Sequence, residues 1–176
     1  MGNTANGTAP EELRVLAALD EAGIDYVRLT HPEASTMELC RGIGEEFGAE
    51  HCKNLFLANK HGTRFYLLLM DASKPYRTSE VSRRLGSTRL SFGTEEQLHR
   101  ILGLRQGSVS ALGMLNPCAR EAYEAGVLRV AIDSGLMKRE RICVHPNVNT
   151  STLVVQTRDL VGFLEKMGIT PIFTDI

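Results

Sequence analysis

Two apolar runs, Cys52 to Ala58 and Arg64 to Met70, flank the turn Asn59-Lys60-His61-Gly62. Apolar, β-prone runs joined by Asn and Gly read as a β hairpin. A hairpin this apolar has to be packed into a larger sheet, and the rest of the chain supplies the material. Residues 10 to 22 carry Leu13, Leu16, Ala17 and Leu19 near helical spacing, and Gly23 stops that helix. Asp25 to Leu29 reads as a short strand. His31-Pro32 turns the chain, because proline disfavours helix in the residue before it. Ser35-Thr36-Met37-Glu38 has the spacing of a capping box and should open a helix. Thr78 or Ser79 should cap a short helix ending near Gly86. A second capping box, Thr94-Glu95-Glu96-Gln97, predicts a helix that ends at Gly103.

The second half reads as strand-rich. Val109 to Met114, Val127 to Asp133, Arg141 to Val144 and Thr152 to Val155 all look extended. Leu160, Phe163, Leu164 and Met167 then mark a helix that starts near Thr157 and ends at Gly168. Ile169 to Thr174 adds a last strand. Helices and strands mix without strict β-α-β alternation. The expected fold is therefore a single α/β (α+β) domain over residues 10–176, with a mixed, mostly antiparallel sheet surrounded by helices. Residues 1–9 read as a flexible N-terminal tail rather than a signal peptide, since they lack a charged region and an apolar stretch.

Composition excludes several classes. With 176 residues, 43% of them hydrophobic, the chain can bury a core without disulfides or metal. Apolar runs such as Phe65 to Met70 are far too short to span a bilayer. Cys40, Cys52, Cys118 and Cys143 form no close ligand pair, so free thiols, a reducing cytoplasmic setting and no metal site are expected. A net charge of −1 argues against an extensive duplex-binding surface. It allows a local patch: Lys74, Arg77, Arg83, Arg84 and Arg89 stand against Glu80 alone. Lys138, Arg139 and Arg141 form a smaller cluster. Such patches contact phosphates, although a solvated face has the same composition.

Four features carry candidate chemistry, and each has an ordinary structural reading beside it. Lys53 begins an apolar strand and can hold a phosphate or a developing oxyanion; it is equally a solvated strand-end lysine. His145-Pro146-Asn147-Val148-Asn149-Thr150 follows an apolar strand. There a histidine can orient a hydroxyl or pass a proton, and Asn149 and Thr150 offer neutral hydrogen bonds or simply satisfy their own turn. The small-residue loop Gly103-Leu104-Arg105-Gln106-Gly107-Ser108-Val109-Ser110-Ala111-Leu112-Gly113 can bring backbone N–H groups against a ligand, or merely feed a buried strand. The basic patches are the fourth. No G-x-S-x-G elbow, no H-E-x-x-H and no convincing protein nucleophile is present. His51 and Cys52 are adjacent on a strand and point to opposite faces.

The order of these pieces resembles the YbaK/ProX family of aminoacyl-tRNA deacylases, above all its free-standing alanyl-tRNA(Pro) editing branch, and with it the editing insertion of bacterial prolyl-tRNA synthetases. Cys-Lys-Asn-Leu-Phe-Leu comes first, then Phe65 to Met70, then Leu98 to Asn116, then His145-Pro-x-x-Asn149-Thr150; early His31-Pro32, Thr36 and Glu38 also match. The likeness spans roughly residues 10 to 170. It implies hydrolysis of the ester joining a small amino acid to the tRNA 3′ end, alanine on tRNA(Pro) foremost. It also implies a route through the terminal 2′-hydroxyl rather than a protein nucleophile, and no cofactor. Lys53, His145, Gly107 and Ser108 are the catalytic group it points to. Asn54, Ser110, Asn116, Asn149, Thr150 and His31 are substrate-binding candidates, and Lys74, Arg77, Arg83 and Arg84 are tRNA contacts. The expected partners are the tRNA acceptor end and, among proteins, prolyl-tRNA synthetase or elongation factor, with no membrane contact. The sequence departs from the family at Ala111, where relatives usually carry proline. A related deacylase for cysteinyl or seryl esters, a non-catalytic module that binds tRNA or a synthetase, and a metabolite-binding domain remain as rival readings.

Overall fold

A computed structural model describes residues 8–33, 42 and 44–176. The chain runs α1 (Pro10–Glu21), β1 (Tyr26–Thr30), β2 (Glu50–Ala58), β3 (Phe65–Asp71), α2 (Thr78–Arg84), β4 (Ser91–Phe92), α3 (Glu95–Leu102), a 3₁₀ helix (Ala111–Leu115), α4 (Pro117–Glu124), β5 (Leu128–Asp133), a second 3₁₀ helix (Ser134–Lys138), β6 (Arg141–Val144), β7 (Ser151–Gln156), α5 (Thr157–Lys166) and β8 (Ile172–Thr174). The strands form one sheet in the order β1-β7-β6-β2-β3-β5-β8, with β4 paired to β2. Pairing is antiparallel for β1–β7, β6–β7, β2–β3 and β2–β4, and parallel for β2–β6, β3–β5 and β5–β8.

The hairpin that the sequence announces is the middle of this sheet. All of β3 is buried. Side chains alternate along a strand, so Phe65, Leu67 and Leu69 enter the larger core beneath α1, α3, α4 and α5, while Tyr66, Leu68 and Met70 enter a smaller cluster with Val81 of α2 and Leu90. Both faces are covered, which is why the run is apolar throughout rather than alternating.

Local signals hold where they are strong. Thr94 and Gln97 form the capping box of α3, and Gly103 closes that helix in the left-handed region at φ 66°. The capping-box pattern at Ser35–Glu38 lies outside the described residues. Three expectations change. Thr78 is the first residue of α2, not its cap; the cap position falls on Arg77 without a side-chain bond. Val109 to Met114 is not a strand: the Ser110 hydroxyl accepts from the Leu112 N–H at 3.2 Å and winds Ala111–Leu115 into a 3₁₀ turn. Gly113 permits the packing of that turn, because a Cβ there would lie 2.7 Å from Leu104 Cδ1. The helix α4 was not anticipated, although Pro117 at its first turn is a start signal.

One buried ion pair fastens α1 to the sheet. Glu12 is 2% exposed, accepts from Arg28 Nε at 2.6 Å, and takes the Ser151 hydroxyl at 2.6 Å.

Candidate active site

The site follows from how β2 is paired. On one edge β2 is paired to β3 from Cys52 to Ala58. On the other edge β6 reaches only Glu50 and His51, and β4 reaches only Leu57 and Ala58. Between these two partners the β2 edge from Cys52 to Leu55 is open. The Gly93 N–H donates to Phe56 O on this side, so strand alternation turns the Asn54 N–H and C=O toward the gap. A cleft of about 430 Å³ fills it, lined by Cys52, Asn54 and Phe56 from β2, Phe92 and Gly93 from β4, Gln106, Gly107 and Val109 from the loop after α3, and Val144 and His145 at the end of β6. A second cavity of about 890 Å³ adjoins it, sharing His51, Cys52, Asn54, Leu55 and His145 and adding Lys53, Ala72 and Ser73.

His145 is held in one tautomer. Its Nδ1 lies 3.0 Å from Ser151 O. A carbonyl only accepts, so Nδ1 carries the proton and the neutral ring keeps its lone pair on Nε2. Burial lowers the His145 pKa below the usual histidine value; the Ser151 bond opposes this, and nearby His31 adds to it. His31 sits with its ring centroid 6.3 Å from that of His145. Its own Nδ1 faces Pro32 O at 3.1 Å, so Nε2 takes the Thr152 hydroxyl at 2.9 Å, and its N–H donates to Thr150 O.

Gly107 occupies the third position of a turn closed by Ser108 N–H to Arg105 O at 3.1 Å, with φ 86°, a backbone that favours glycine. A Cβ on Gly107 would lie 3.6 Å from Asn149 Nδ2, which places the glycine loop beside the histidine loop. Asn149 donates in turn to Glu33 Oε1 at 3.1 Å. Asn147, which sequence reasoning passed over, ties the loops together. It is buried, sits at φ 63°, and donates to Leu112 O at 3.2 Å. Its signal was local: asparagine after proline in a turn is the residue that most readily takes a left-handed backbone. Glu12, which holds Ser151 behind His145, was also missed. It stands on the apolar stripe of α1 with Val15 and Leu19, the place where a lone carboxylate is informative.

Several candidates serve the fold instead. Ser108 is not aimed at the cleft: its hydroxyl donates to Arg105 O at 2.8 Å and its N–H closes the same turn, so neither faces a ligand. Ser110 is fully buried and caps the 3₁₀ helix. Asn116 donates to Leu102 O at 2.8 Å and joins the end of α3 to the start of α4. Ala111 is buried and is the first residue of the 3₁₀ helix, and the first turn of a helix tolerates proline. Thr150 is exposed. Lys74 is not a loose phosphate contact, since its ammonium pairs with buried Asp133 at 2.8 Å. Arg139, from the smaller cluster, is spent on Asp71 at 2.9 Å and Glu50 at 3.4 Å. Arg77, Arg83 and Arg84 are exposed.

Lys53 points to the face of β2 opposite Asn54, as alternation requires. Its ammonium donates to Lys74 O at 2.5 Å, which sets it against the second cavity. Asp71, two residues beyond its β3 partner's neighbour Leu69, is 4% exposed. Burial would raise its pKa, but hydrogen bonds from Ser73 and the Arg139 guanidinium outweigh this and hold it at about 2.

Cys52, on the cleft wall, does not behave as an activated thiol. Burial pushes Cys52 up to about 11, so it stays protonated at neutral pH. The Asn54 side-chain oxygen is buried without a partner among the described residues, an acceptor at the cleft wall. No group of His, Cys, Asp and Glu suited to a metal occurs among the described residues. No helix among them is long and apolar enough to cross a membrane.

Residues 31–163 match the family model of the aminoacyl-tRNA editing domain. The prolyl-tRNA editing protein ProX of Acetoanaerobium sticklandii is 34% identical over 89% of this chain and 92% of its own length. The prolyl-tRNA synthetase associated domain-containing protein 1 of Xenopus laevis is 30% identical over 90% and 92%. Among solved structures, a candidate trans-editing enzyme for prolyl tRNA synthetase superposes with TM-score 0.68 at 18% identity, over 97% of this chain and 99% of that one, and so shares the fold.

Proposed function

The chain belongs to the aminoacyl-tRNA editing domain family and is thereby a hydrolase of the aminoacyl-tRNA ester; from that premise we propose that its substrate is alanine misattached to tRNA(Pro). The names of its relatives, a prolyl-tRNA editing protein and a prolyl-tRNA synthetase associated domain protein, support the choice of tRNA. The observation that carries the mechanism is the pairing of a neutral, Nδ1-protonated His145 with the glycine turn across one cleft.

An aminoacyl ester is already activated, so positioning and carbonyl polarisation supply most of what is needed. The lone pair on His145 Nε2 takes the proton of the attacking oxygen, a water or the terminal ribose 2′-hydroxyl. The Gly107 N–H donates to the developing oxyanion. The Ser108 N–H, committed to Arg105, takes no part. The orphaned Asn54 oxygen accepts from the α-ammonium group. Lys53 holds the terminal phosphate at the adjoining cavity, and exposed Arg77, Arg83 and Arg84 meet the backbone further out. Asn149 and His31 keep the histidine loop in place.

The cleft is at the small end of ligand pockets. It admits alanyl and excludes the prolyl ring, a second sieve in an editing scheme. A sieve of this kind discriminates weakly against an added hydroxyl or thiol, so seryl and cysteinyl esters are the main competitors. Such work places the protein in the cytoplasm, with prolyl-tRNA synthetase or elongation factor as the proteins that handle the same tRNA.

Deacylation of Ala-, Ser-, Cys- and Pro-tRNA(Pro) side by side tests the reading. Ala-tRNA(Pro) is expected to be cleared fastest and Pro-tRNA(Pro) spared; tight tRNA binding with no turnover on any of them sinks it. The pH profile tests His145 separately. A base whose pKa is depressed stays neutral to lower pH, so kcat/KM, corrected for spontaneous hydrolysis, is expected to fall only below about pH 6.5. A fall that begins above pH 7 speaks against His145 as the base.

A further inference from the structure

Phe92 is 62% exposed, the most exposed large apolar side chain among the described residues. It is not a stray surface residue, for three reasons. It lines the rim of the same cleft as Gly107 and His145. Its backbone is fixed by pairing with Leu57, while the next residue must be glycine, since a Cβ on Gly93 would lie 2.3 Å from the Phe56 ring. Tyr76 backs it, with ring centroids 5.3 Å apart at 41°. A rigidly held, solvent-facing ring costs exposed apolar area unless something covers it.

The charge around it indicates what does. Arg77 follows Tyr76, Arg89 lies three residues before Phe92, and both are exposed. The cleft's own lining carries a charge of the other sign, Glu95. An aromatic face with exposed arginines close by in the chain, opening onto a small polar cleft, suits a stacked terminal base with the phosphates of the preceding nucleotides turned outward. We propose that Phe92, backed by Tyr76, is the stacking platform for the terminal purine base of a single-stranded tRNA end, which it holds so that the ester on the attached ribose enters the cleft. The proposal rests on the editing function above, and it adds the group that reads the nucleobase.

The chain has no tryptophan, so Phe92→Trp makes a lone fluorescent reporter at an exposed position. Uncharged tRNA(Pro) ending in its 3′ adenosine is expected to quench that tryptophan. The same tRNA trimmed of the terminal adenosine is expected to leave it unquenched. Equal quenching by both, or none by either, overturns the platform. This readout needs no turnover, so it decides the platform even if no misacylated tRNA is cleaved, in which case only the editing function fails. In kinetics, Phe92→Ala is expected to raise KM for Ala-tRNA(Pro) about tenfold, with a smaller effect on kcat. Phe173→Ala, at another exposed aromatic outside the cleft, is the control. An unchanged KM in Phe92→Ala also overturns the proposal.

Discussion

Replacing Lys53 by alanine is expected to slow deacylation of Ala-tRNA(Pro) about 100-fold while leaving the fold intact. Lys53 lies where β2 leaves its pairing with β6 and is half-buried, and its ammonium is fixed on the Lys74 carbonyl. A charge held this way undergoes no reorganisation when the substrate arrives, and removing one preorganised electrostatic partner costs on the order of 100-fold or more. The fold should tolerate the loss. The bond to Lys74 is a single one at the sheet's rim, and the side chain is absent from the buried core. Single-turnover deacylation, with urea unfolding as the check on folding, gives the answer. Parental rates in a folded Lys53→Ala protein remove Lys53 from the machinery. Lys53→Arg is expected to recover little, because a planar fork does not replace a point charge on the same carbonyl.

Asp133→Ala is expected to destabilise the protein by about 3–5 kcal/mol. Asp133 is fully buried. One oxygen accepts from Lys74 at 2.8 Å and from the Gly135 N–H at 3.1 Å; the other accepts from the Asp71 N–H at 3.3 Å. Alanine strands two backbone donors at the end of the central strands, Gly135 N–H and Asp71 N–H, and unpairs the partly exposed Lys74 ammonium. Asp133→Asn keeps an acceptor but loses the charge, so a smaller loss is expected. Urea denaturation of both variants checks the order; an Asp133→Ala midpoint within error of the parent rules it out. The same aspartate anchors the residue whose carbonyl holds Lys53. The variant should therefore lose deacylation in excess of its unfolded fraction, a coupling absent if the network is only structural.

Patterns confined to a few neighbouring residues were legible. The hairpin, the capping box at Thr94–Gln97, the glycine stop at Gly103 and the stripe on α5 each depend on contacts within one element. The loop Gly107–Ala111 was legible only in part. Glycine at 107 marked a backbone that approaches a ligand. The roles of Ser108 and Ser110 were not visible, because a serine hydroxyl bonds its own turn as readily as a substrate. Lys74 and Arg139 looked like free positive charge for a similar reason. Their partners, Asp133 and Asp71, are 59 and 68 residues away.

The sequence by itself determined the central hairpin, the helices with strong caps or stripes, which faces are apolar, and which residues resemble an editing family. The tertiary structure alone decided that β6 and β4 share one edge of β2 and leave Cys52 to Leu55 open between them. It also decided that Ser151 sets the proton on His145 and that Phe92 stands at the mouth of the cleft. Local propensity is settled by residues three or four positions apart. Strand register across some 90 residues is settled only when the whole core packs, since no short segment gains enough to close so long a loop by itself.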